Sequence, residues 1–441
     1  MKSKVPYLFL IVALIALLAG LTFGVLSGVQ YLLPQFLKEL LPFSALRPMH
    51  VTSVISWILL ASTGGVYIYL SQITDGKLKF PRLPIVHFAF FIATGLAIYI
   101  CYLTRHFGGK EYLEFPPILI APVLIGWVLF GIFYFKNVIR IQNWPVYLWM
   151  WATGIALMIY HLVEAYLWTH PEVGGNFIRS LTIQWKAGGS FVGAWNMLVN
   201  GTAIYVMHKI GGKYETGRTR EAFFFYFLGL TNLMFGWAHH IYIVPTVPWL
   251  RYLSYVISMT EWIIIWKMIY QWRKGIQPDE KIKNLMPYKF LGAADRSIFV
   301  NLILALLFSI PAINFFTHGT HFTVAHSMGT TIGINTTILL ASLLFIAQKY
   351  STFESKSALK GYKIFNISLA IFWCSLIVAG LRKSIWQASE NPAIFSEMNS
   401  SLFVVYLVFL LSGIGLLTGL SMIVIPLLRQ FVNICFKKNY T

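Results

Sequence analysis

The sequence is poor in charge, and acidic residues are the scarcest part of it. Only 11% of its 441 residues are charged, and Asp and Glu number 15 against 34 Lys and Arg. Hydrophobic residues make up 57% of the chain and aromatic residues 17%. Soluble domains contain about 25% charged residues, and apolar runs of about 20 residues, long enough to cross a bilayer, recur here. The composition therefore excludes a soluble globule and predicts a polytopic membrane protein.

Cysteine is also scarce, with only Cys101, Cys374 and Cys435 spread along the chain. No CxxCH motif is present, so we expect no haem covalently attached to this chain. No cysteine cluster suggests a zinc or iron–sulfur site. The absence of P-loop and GxGxxG motifs leaves ATP-driven transport without support.

The apolar segments predict an all-α membrane protein with a single transmembrane domain over residues 1–441. The segment after the first four residues is long and apolar with no small-residue cleavage site after it, which favours a first span over a removed signal peptide. The twelve predicted spans, joined by short loops, lie near 6–34, 50–72, 84–105, 116–136, 143–168, 187–210, 221–243, 248–272, 297–316, 322–348, 361–383 and 401–428.

A net charge of +19 is typical of proteins that bind nucleic acid, so the positions of the basic residues along the chain must be considered. Most of the 34 Lys and Arg fall in segments that are cytoplasmic if both termini are cytoplasmic. Such a bias is the positive-inside rule, and it requires no nucleic acid. It predicts an even number of spans with both termini inside, in the inner (plasma) membrane.

Three histidines, His318, His321 and His326, lie within nine residues at the start of span 10. Ionisable groups at or within membrane helices usually mark a function. Met328 follows His326 by two residues, so on a helix the two side chains point about 200° apart. Such a helix could serve two cofactors, one on each face. The alternative is a polar interfacial loop with one core histidine.

Further histidines stand at the ends of other spans. His50 opens span 2, where a neutral imidazole can ligate a haem iron or lie at the interface. His239 and His240 end span 7 shortly before Pro245. Neighbouring residues on a regular helix face different directions, but at an irregular helix end both rings can reach one metal, and imidazole suits copper, iron or zinc. Two interfacial histidines are the alternative.

Buried carboxylates form a third group of candidates. His161 and Glu164 are three residues apart on one face of span 5, and Glu261 lies within span 8. A carboxylate in a membrane is costly unless it has a partner. His161 and Glu164 either bond to each other and tie helices together, or bind a metal or relay protons.

The predicted topology gives these candidates a common depth. Independent core histidines would scatter through the membrane, whereas one layer near the outer face is what one or two haems and a metal would need. The residues at the outer ends of their helices are His50, His161, His239, His240, His326 and Met328.

Together these residues resemble the catalytic subunit I of the haem-copper oxidase superfamily, and most closely the large subunit of respiratory nitric oxide reductase. The motifs are the histidine opening span 2, the His239-His240 pair followed by Tyr242, and Thr317-His318-Gly319-Thr320 leading to Thr323-Val324-Ala325-His326. Glu261 also falls where nitric oxide reductases have a glutamate, 21 residues after the pair.

The resemblance implies a set of cofactors. His326 would bind a high-spin, five-coordinate haem b, and His239 and His240 would hold a non-haem iron or copper facing it. His50 would ligate a low-spin haem b on the other side of span 10. Glu261 would donate protons or add a metal ligand.

The sequence departs from the family pattern at two places. Met328 replaces the second histidine of the low-spin haem, and methionine raises the potential relative to bis-histidine ligation. The third metal-binding histidine, expected in span 6, falls at Gly188 or Gly189. We expect the missing ligand to come from Glu261, or from His161 and Glu164. This is a prediction that the residues alone leave open.

The expected function is an oxidoreductase that reduces nitric oxide to nitrous oxide in a respiratory chain, with a small cytochrome c-type subunit as electron donor. Glu261 favours nitric oxide over oxygen as the substrate. Oxygen is the first alternative, because oxygen-reducing relatives need a redox tyrosine and Tyr242 could serve as one. The missing span 6 histidine keeps open a nitric oxide dismutase or a gas-binding haem protein. A twelve-helix transporter is disfavoured because no internal repeat or Gly/Pro-broken helix pair is evident.

Overall fold

The computed structural model describes residues 4–211, 215–258, 260–350 and 356–436, and within these ranges the chain is helical and forms no β-strand. The α-helices are α1 (Val5–Leu32), α2 (Phe43–Ile73), α3 (Leu83–Leu103), α4 (Ile120–Val138), α5 (Val146–Glu164), α6 (Pro171–Gly174), α7 (Phe177–Ile210), α8 (Arg220–Phe235), α9 (Pro248–Ile257), α10 (Thr260–Gly275), α11 (Pro278–Lys283), α12 (Leu285–Ser309), α13 (Pro311–Thr317), α14 (His321–Met328), α15 (Thr337–Ala347), α16 (Lys356–Ala388), α17 (Phe395–Ser400) and α18 (Phe403–Phe436).

The predicted spans all overlap helical structure, and the all-α class is confirmed. Among the described residues, nine helical stretches are long and apolar enough to cross a membrane. The predicted spans outside this set are 187–210, 221–243 and 248–272. The total of twelve and the side on which the termini lie therefore stay predictions.

The three spans outside the set are irregular or polar. Span 7 is short because α8 passes into a 3-10 helix at Gly236–Ile241. Span 8 is divided between α9 and α10. Span 6 is the continuous helix α7, but the polar residues Asn196 and Asn200 in the middle of the span lower its mean hydropathy. The 3-10 helix that ends span 7 contains His239 and His240.

The centre of the bundle is the helical stretch His321–Ala347. In its most apolar stretch 89% of the residues are buried, against 22–67% in the other eight spans. Helix α14 continues here through a π-helix, Gly329–Thr336, into α15. π-helical turns are uncommon and are frequent at functional sites. The wide turns begin directly after His326 and Met328, so the irregularity coincides with the predicted ligands.

A buried ion pair links α10 to α12 away from this centre. Arg273 donates to Asp295 at 2.6 Å, and the Asp295 side chain is only 5% exposed. We expect Arg273→Met to lower the free energy of unfolding by about 3–5 kcal/mol, because it leaves a buried carboxylate unpaired. Thermal unfolding in detergent measures this. The control is Arg218→Met, which breaks an exposed 3.8 Å pair with Glu215 and should cost at most about 1 kcal/mol. Equal melting temperatures for the two variants would contradict the prediction.

Candidate functional site

The irregular end of span 7 brings His239 and His240 together. In the 3-10 helix Gly236–Ile241 the two ring centres lie 4.1 Å apart, with their planes at 41°. Ser258 contacts His239 Nδ1 at 3.3 Å, and Asn314 donates from Nδ2 to the His239 carbonyl at 3.3 Å. The predicted irregular helix end is therefore present, and both rings face the same space.

That space is a cavity of about 30 Å³. Its walls include His239, His240, His326 and His318. A cavity of this size holds an ion with a water, or a diatomic gas, since one water needs roughly 10–15 Å³. The fold thus brings the predicted His239-His240 pair and His326, which are far apart in the sequence, to the same cavity. It also adds His318, which the sequence showed only as part of a motif and not as a ligand.

His326 is oriented by Asn301 of α12. The His326 Nδ1–H donates to Asn301 Oδ1 at 3.2 Å, while Asn301 Nδ2 donates to the His326 carbonyl at 3.2 Å and to Thr330 Oγ1 at 2.9 Å. A histidine that binds a metal usually donates its other ring N–H to such a partner. The contact leaves Nε2 available. Asn301 lies 25 residues away in sequence, and no motif pointed to it.

A second and larger cavity, of about 480 Å³, lies on the other side of α14. His50 and Met328 both line it. The His50 Nδ1–H donates to the Gly20 carbonyl at 2.7 Å, which leaves Nε2 free. At Gly24 an added Cβ would lie 3.0 Å from the His50 ring, so glycine preserves this space. His326 and Met328 therefore serve different cavities, in agreement with their two-residue spacing.

The sequence and the fold both match known proteins along almost the whole chain. The sequence profile of the family described as cytochrome c and quinol oxidase polypeptide I matches residues 4–427. The chain belongs to that family. It is 23% identical over 452 aligned residues to a nitric oxide reductase subunit of Stutzerimonas stutzeri, covering 93% of this chain and 91% of that protein. A cryo-EM structure of a heme-copper terminal oxidase dimer superposes with a TM-score of 0.78 at 14% identity, covering 98% of this chain and 85% of that one.

The oxidase family implies haem and a second metal, and the two cavities differ in how they fit these groups. The larger cavity fits a haem, because an imidazole and a thioether line the same open space. The His239-His240 pair fits a metal ion, since His240 Nδ1 is buried without a hydrogen-bond partner. The space beside His326 admits an ion and a small molecule, but a porphyrin would require its walls to separate. We therefore assign no reaction step to a haem at His326.

Glu261 and Tyr242 do not line the small cavity beside His239, His240 and His326. Glu261 is buried, and its Oε1 accepts from Asn232 Nδ2 at 2.7 Å. The following residue, Trp262, lies 6.3 Å from the His326 ring, with the two planes at 28°. Tyr242 is held through its carbonyl, which accepts from Arg251 at 2.6 Å. Glu261 is thus one residue from a side chain that faces His326.

The carboxylate of Glu164 has partners of its own. Its Oε2 accepts from His161 Nδ1 at 2.9 Å, and its Oε1 accepts from Lys186. Neither His161 nor Glu164 lines the cavity beside His239 and His240. A metal role for them stays a prediction, and the observed contacts tie α5 to α7.

Neither glycine at the expected position in span 6 lines the cavity beside His239 and His240. Gly188 lines a different small cavity, which also contains Lys110 and Gln184. At Gly189 an added Cβ would lie 2.7 Å from the Cβ of Trp237. The place where the resemblance expects a third histidine therefore supplies no ligand here.

Proposed function

We propose that the chain is the catalytic subunit of a membrane-bound nitric oxide reductase. Two molecules of nitric oxide, two electrons and two protons would give nitrous oxide and water. The observation that supports nitric oxide over oxygen is Glu261, a buried carboxyl on α10 whose sequence neighbour Trp262 faces the His326 ring. The likeness to a nitric oxide reductase subunit along nearly the whole chain points the same way.

The side chains of the two cavities would have different roles. His239 and His240 would hold a non-haem iron or copper, which as a Lewis acid stabilises negative charge on the reacting oxygen. Asn301 would keep the His326 ring turned toward this space, and a high-spin haem b at His326 would require the cavity walls to separate. Glu261 would hold the proton to be delivered.

His50 and Met328 would hold a low-spin haem b through which electrons enter. Methionine ligation raises the potential of such a haem, which suits acceptance of electrons from a small cytochrome c-type subunit. The long apolar helices support electron transfer within a bilayer, which we propose to be the inner (plasma) membrane.

A gas-consumption assay tests the proposal. Purified protein, reduced through one artificial donor, is given nitric oxide or oxygen in separate runs, and gas loss and products are measured. We expect one nitrous oxide formed per two nitric oxide consumed, and slower oxygen loss. Faster oxygen loss would favour an oxygen reductase. Dinitrogen and oxygen from nitric oxide would favour a dismutase, the alternative that the absent span 6 histidine supports, and no turnover would favour a gas-binding protein.

A further inference from the structure

We propose that the seam between α12 and α16 binds the headgroup of an anionic phospholipid, with Arg296 as the main contact to its phosphate. The inference does not depend on the reaction that the chain catalyses, because it concerns a lipid of the surrounding bilayer. The residues that define the seam are Lys289 and Arg296 of α12, and Tyr362, Lys363 and Asn366 of α16.

Arg296 points out of the bundle although it stands on a membrane helix. Its side chain is exposed, whereas the preceding Asp295 is buried and accepts from Arg273. Successive helical residues point about 100° apart, so Asp295 and Arg296 have different surroundings. Arg296 takes part in none of the ion pairs found among the described residues. Its positive charge is therefore available to an anionic partner.

Neutral side chains of α16 hold the Arg296 guanidinium in place. Its Nη2 donates to the Tyr362 hydroxyl at 3.0 Å and to Asn366 Oδ1 at 3.2 Å. The Tyr362 hydroxyl in turn donates to the Lys289 carbonyl at 2.9 Å. A guanidinium has N–H donors on all three of its nitrogens, so Nη1 and Nε can still donate to another acceptor. A fixed guanidinium with open donors suits a phosphate, which arginine can bind through two parallel hydrogen bonds.

Further basic residues stand along the same seam. Lys289 lies seven residues before Arg296, and two helical turns bring it to the same face of α12. The Nζ of Lys289 is 5.6 Å from the centre of the Tyr362 ring. Lys363 is exposed on α16, and residues 356–366 contain three lysines and no Asp or Glu. Charge complementarity therefore favours an anionic lipid over a zwitterionic one.

The position of the seam along the helices suits a lipid headgroup. The predicted spans of α12 and α16 begin at 297 and 361, so Arg296 and Tyr362 stand where the apolar segments begin. Both helices begin at the same end of the bundle, because Phe290 contacts Tyr362 with ring centres 5.2 Å apart. The charge bias predicts that this end is cytoplasmic. Basic sites between membrane helices on that side bind anionic headgroups.

Apolar side chains continue the seam from the basic residues toward the other end of the bundle. Val300 and Ile303 follow Arg296 by four and seven residues, and both are exposed on α12. Ile367 and Ile371 are exposed on α16 in the same way. Residues at these spacings share one helix face, so an acyl chain could lie along them while its phosphate contacts Arg296. This arrangement favours a phospholipid over free phosphate, which has no apolar part.

The test measures lipid binding to the full-length protein in detergent. Protein freed of lipid by detergent washing is titrated with phosphatidylglycerol or phosphatidylcholine, bound lipids are counted by native mass spectrometry, and the melting temperature is followed. We expect phosphatidylglycerol to bind more tightly than phosphatidylcholine and to raise the melting temperature. Arg296→Gln should raise the dissociation constant of phosphatidylglycerol at least about 5-fold, the usual contribution of one basic residue near anionic lipid.

Arg82→Gln is the matched control, because it removes the same charge from another exposed arginine. Arg82 precedes α3, which packs against α1, α2 and α4. This variant should bind phosphatidylglycerol like the wild type. If Arg296→Gln does not fold, the exposed Lys363 provides the second variant, and Lys363→Gln should also weaken binding about 5-fold.

Three results would overturn the inference. Wild-type affinity in both Arg296→Gln and Lys363→Gln would show that the seam does not bind the headgroup. Equal weakening in Arg82→Gln would show a general effect of charge instead of a site. A rise in melting temperature as large with inorganic phosphate as with phosphatidylglycerol would show that the acyl chains contribute nothing, and that the ligand is free phosphate.

Discussion

Replacing His50 with alanine should remove one haem per chain and stop electron entry. His50 and Met328 line the same cavity of about 480 Å³, and the Gly20 carbonyl fixes the His50 ring with Nε2 free. Without the imidazole, a single thioether would remain as protein ligand, and a low-spin haem needs two strong axial ligands. We expect the haem content to fall by one per chain, and gas turnover with a cytochrome donor to become undetectable.

The haem count after extraction and the reduced absorption spectrum check this result. His106→Ala is the control, because His106 is exposed and lies in neither cavity. Met328→His should keep the haem and lower its midpoint potential, since axial ligands set haem potentials over a range of about 0.8 V. A His50→Ala protein with unchanged haem content and low-spin spectrum would show that the larger cavity does not hold this haem.

Replacing Glu261 with glutamine should reduce nitric oxide turnover by about 10²–10⁴-fold, the usual contribution of a positioned proton donor. Glutamine has nearly the same size and can still accept from Asn232, so packing against α8 should be kept. It cannot deliver a proton. Haem and metal content should therefore equal those of the wild type, which separates a proton-transfer defect from loss of a metal ligand.

Glu164→Gln is the matched control for that variant. Glu164 is also buried, but its carboxylate is already bonded to His161 and Lys186. We expect its metal content to be unchanged and its turnover to stay within a few-fold of the wild type. Full activity in Glu261→Gln would remove Glu261 from the proposed proton path. Loss of metal in Glu164→Gln would restore Glu164 as a candidate ligand.

The sequence alone determined the class of protein, and it predicts the depth of the site. Runs of apolar residues are a local property of the chain, so membrane spans can be recognised without tertiary contacts. The opposite directions of His326 and Met328 follow from helix geometry over two residues, and the structure places them in separate cavities. Pairing of His50 with Met328 came from the family resemblance, and the shared cavity is consistent with it.

Only the tertiary structure decided which distant residues contact the candidate residues. Asn301 orients His326, and Lys186 bonds to Glu164. Both contacts join different helices, and the hydrophobic pattern of each helix does not fix how two helices are rotated relative to each other. Trp185 covers the α7 side of the pair because α7 packs beside the 3-10 helix. His318 lines the cavity beside His239 and His240, where its N–H donates to the Asn314 carbonyl and Gly319 turns the chain. The direction of a turn depends on the helices that it joins. The sequence therefore identified His318 as a candidate, and only the fold showed which cavity its side chain lines.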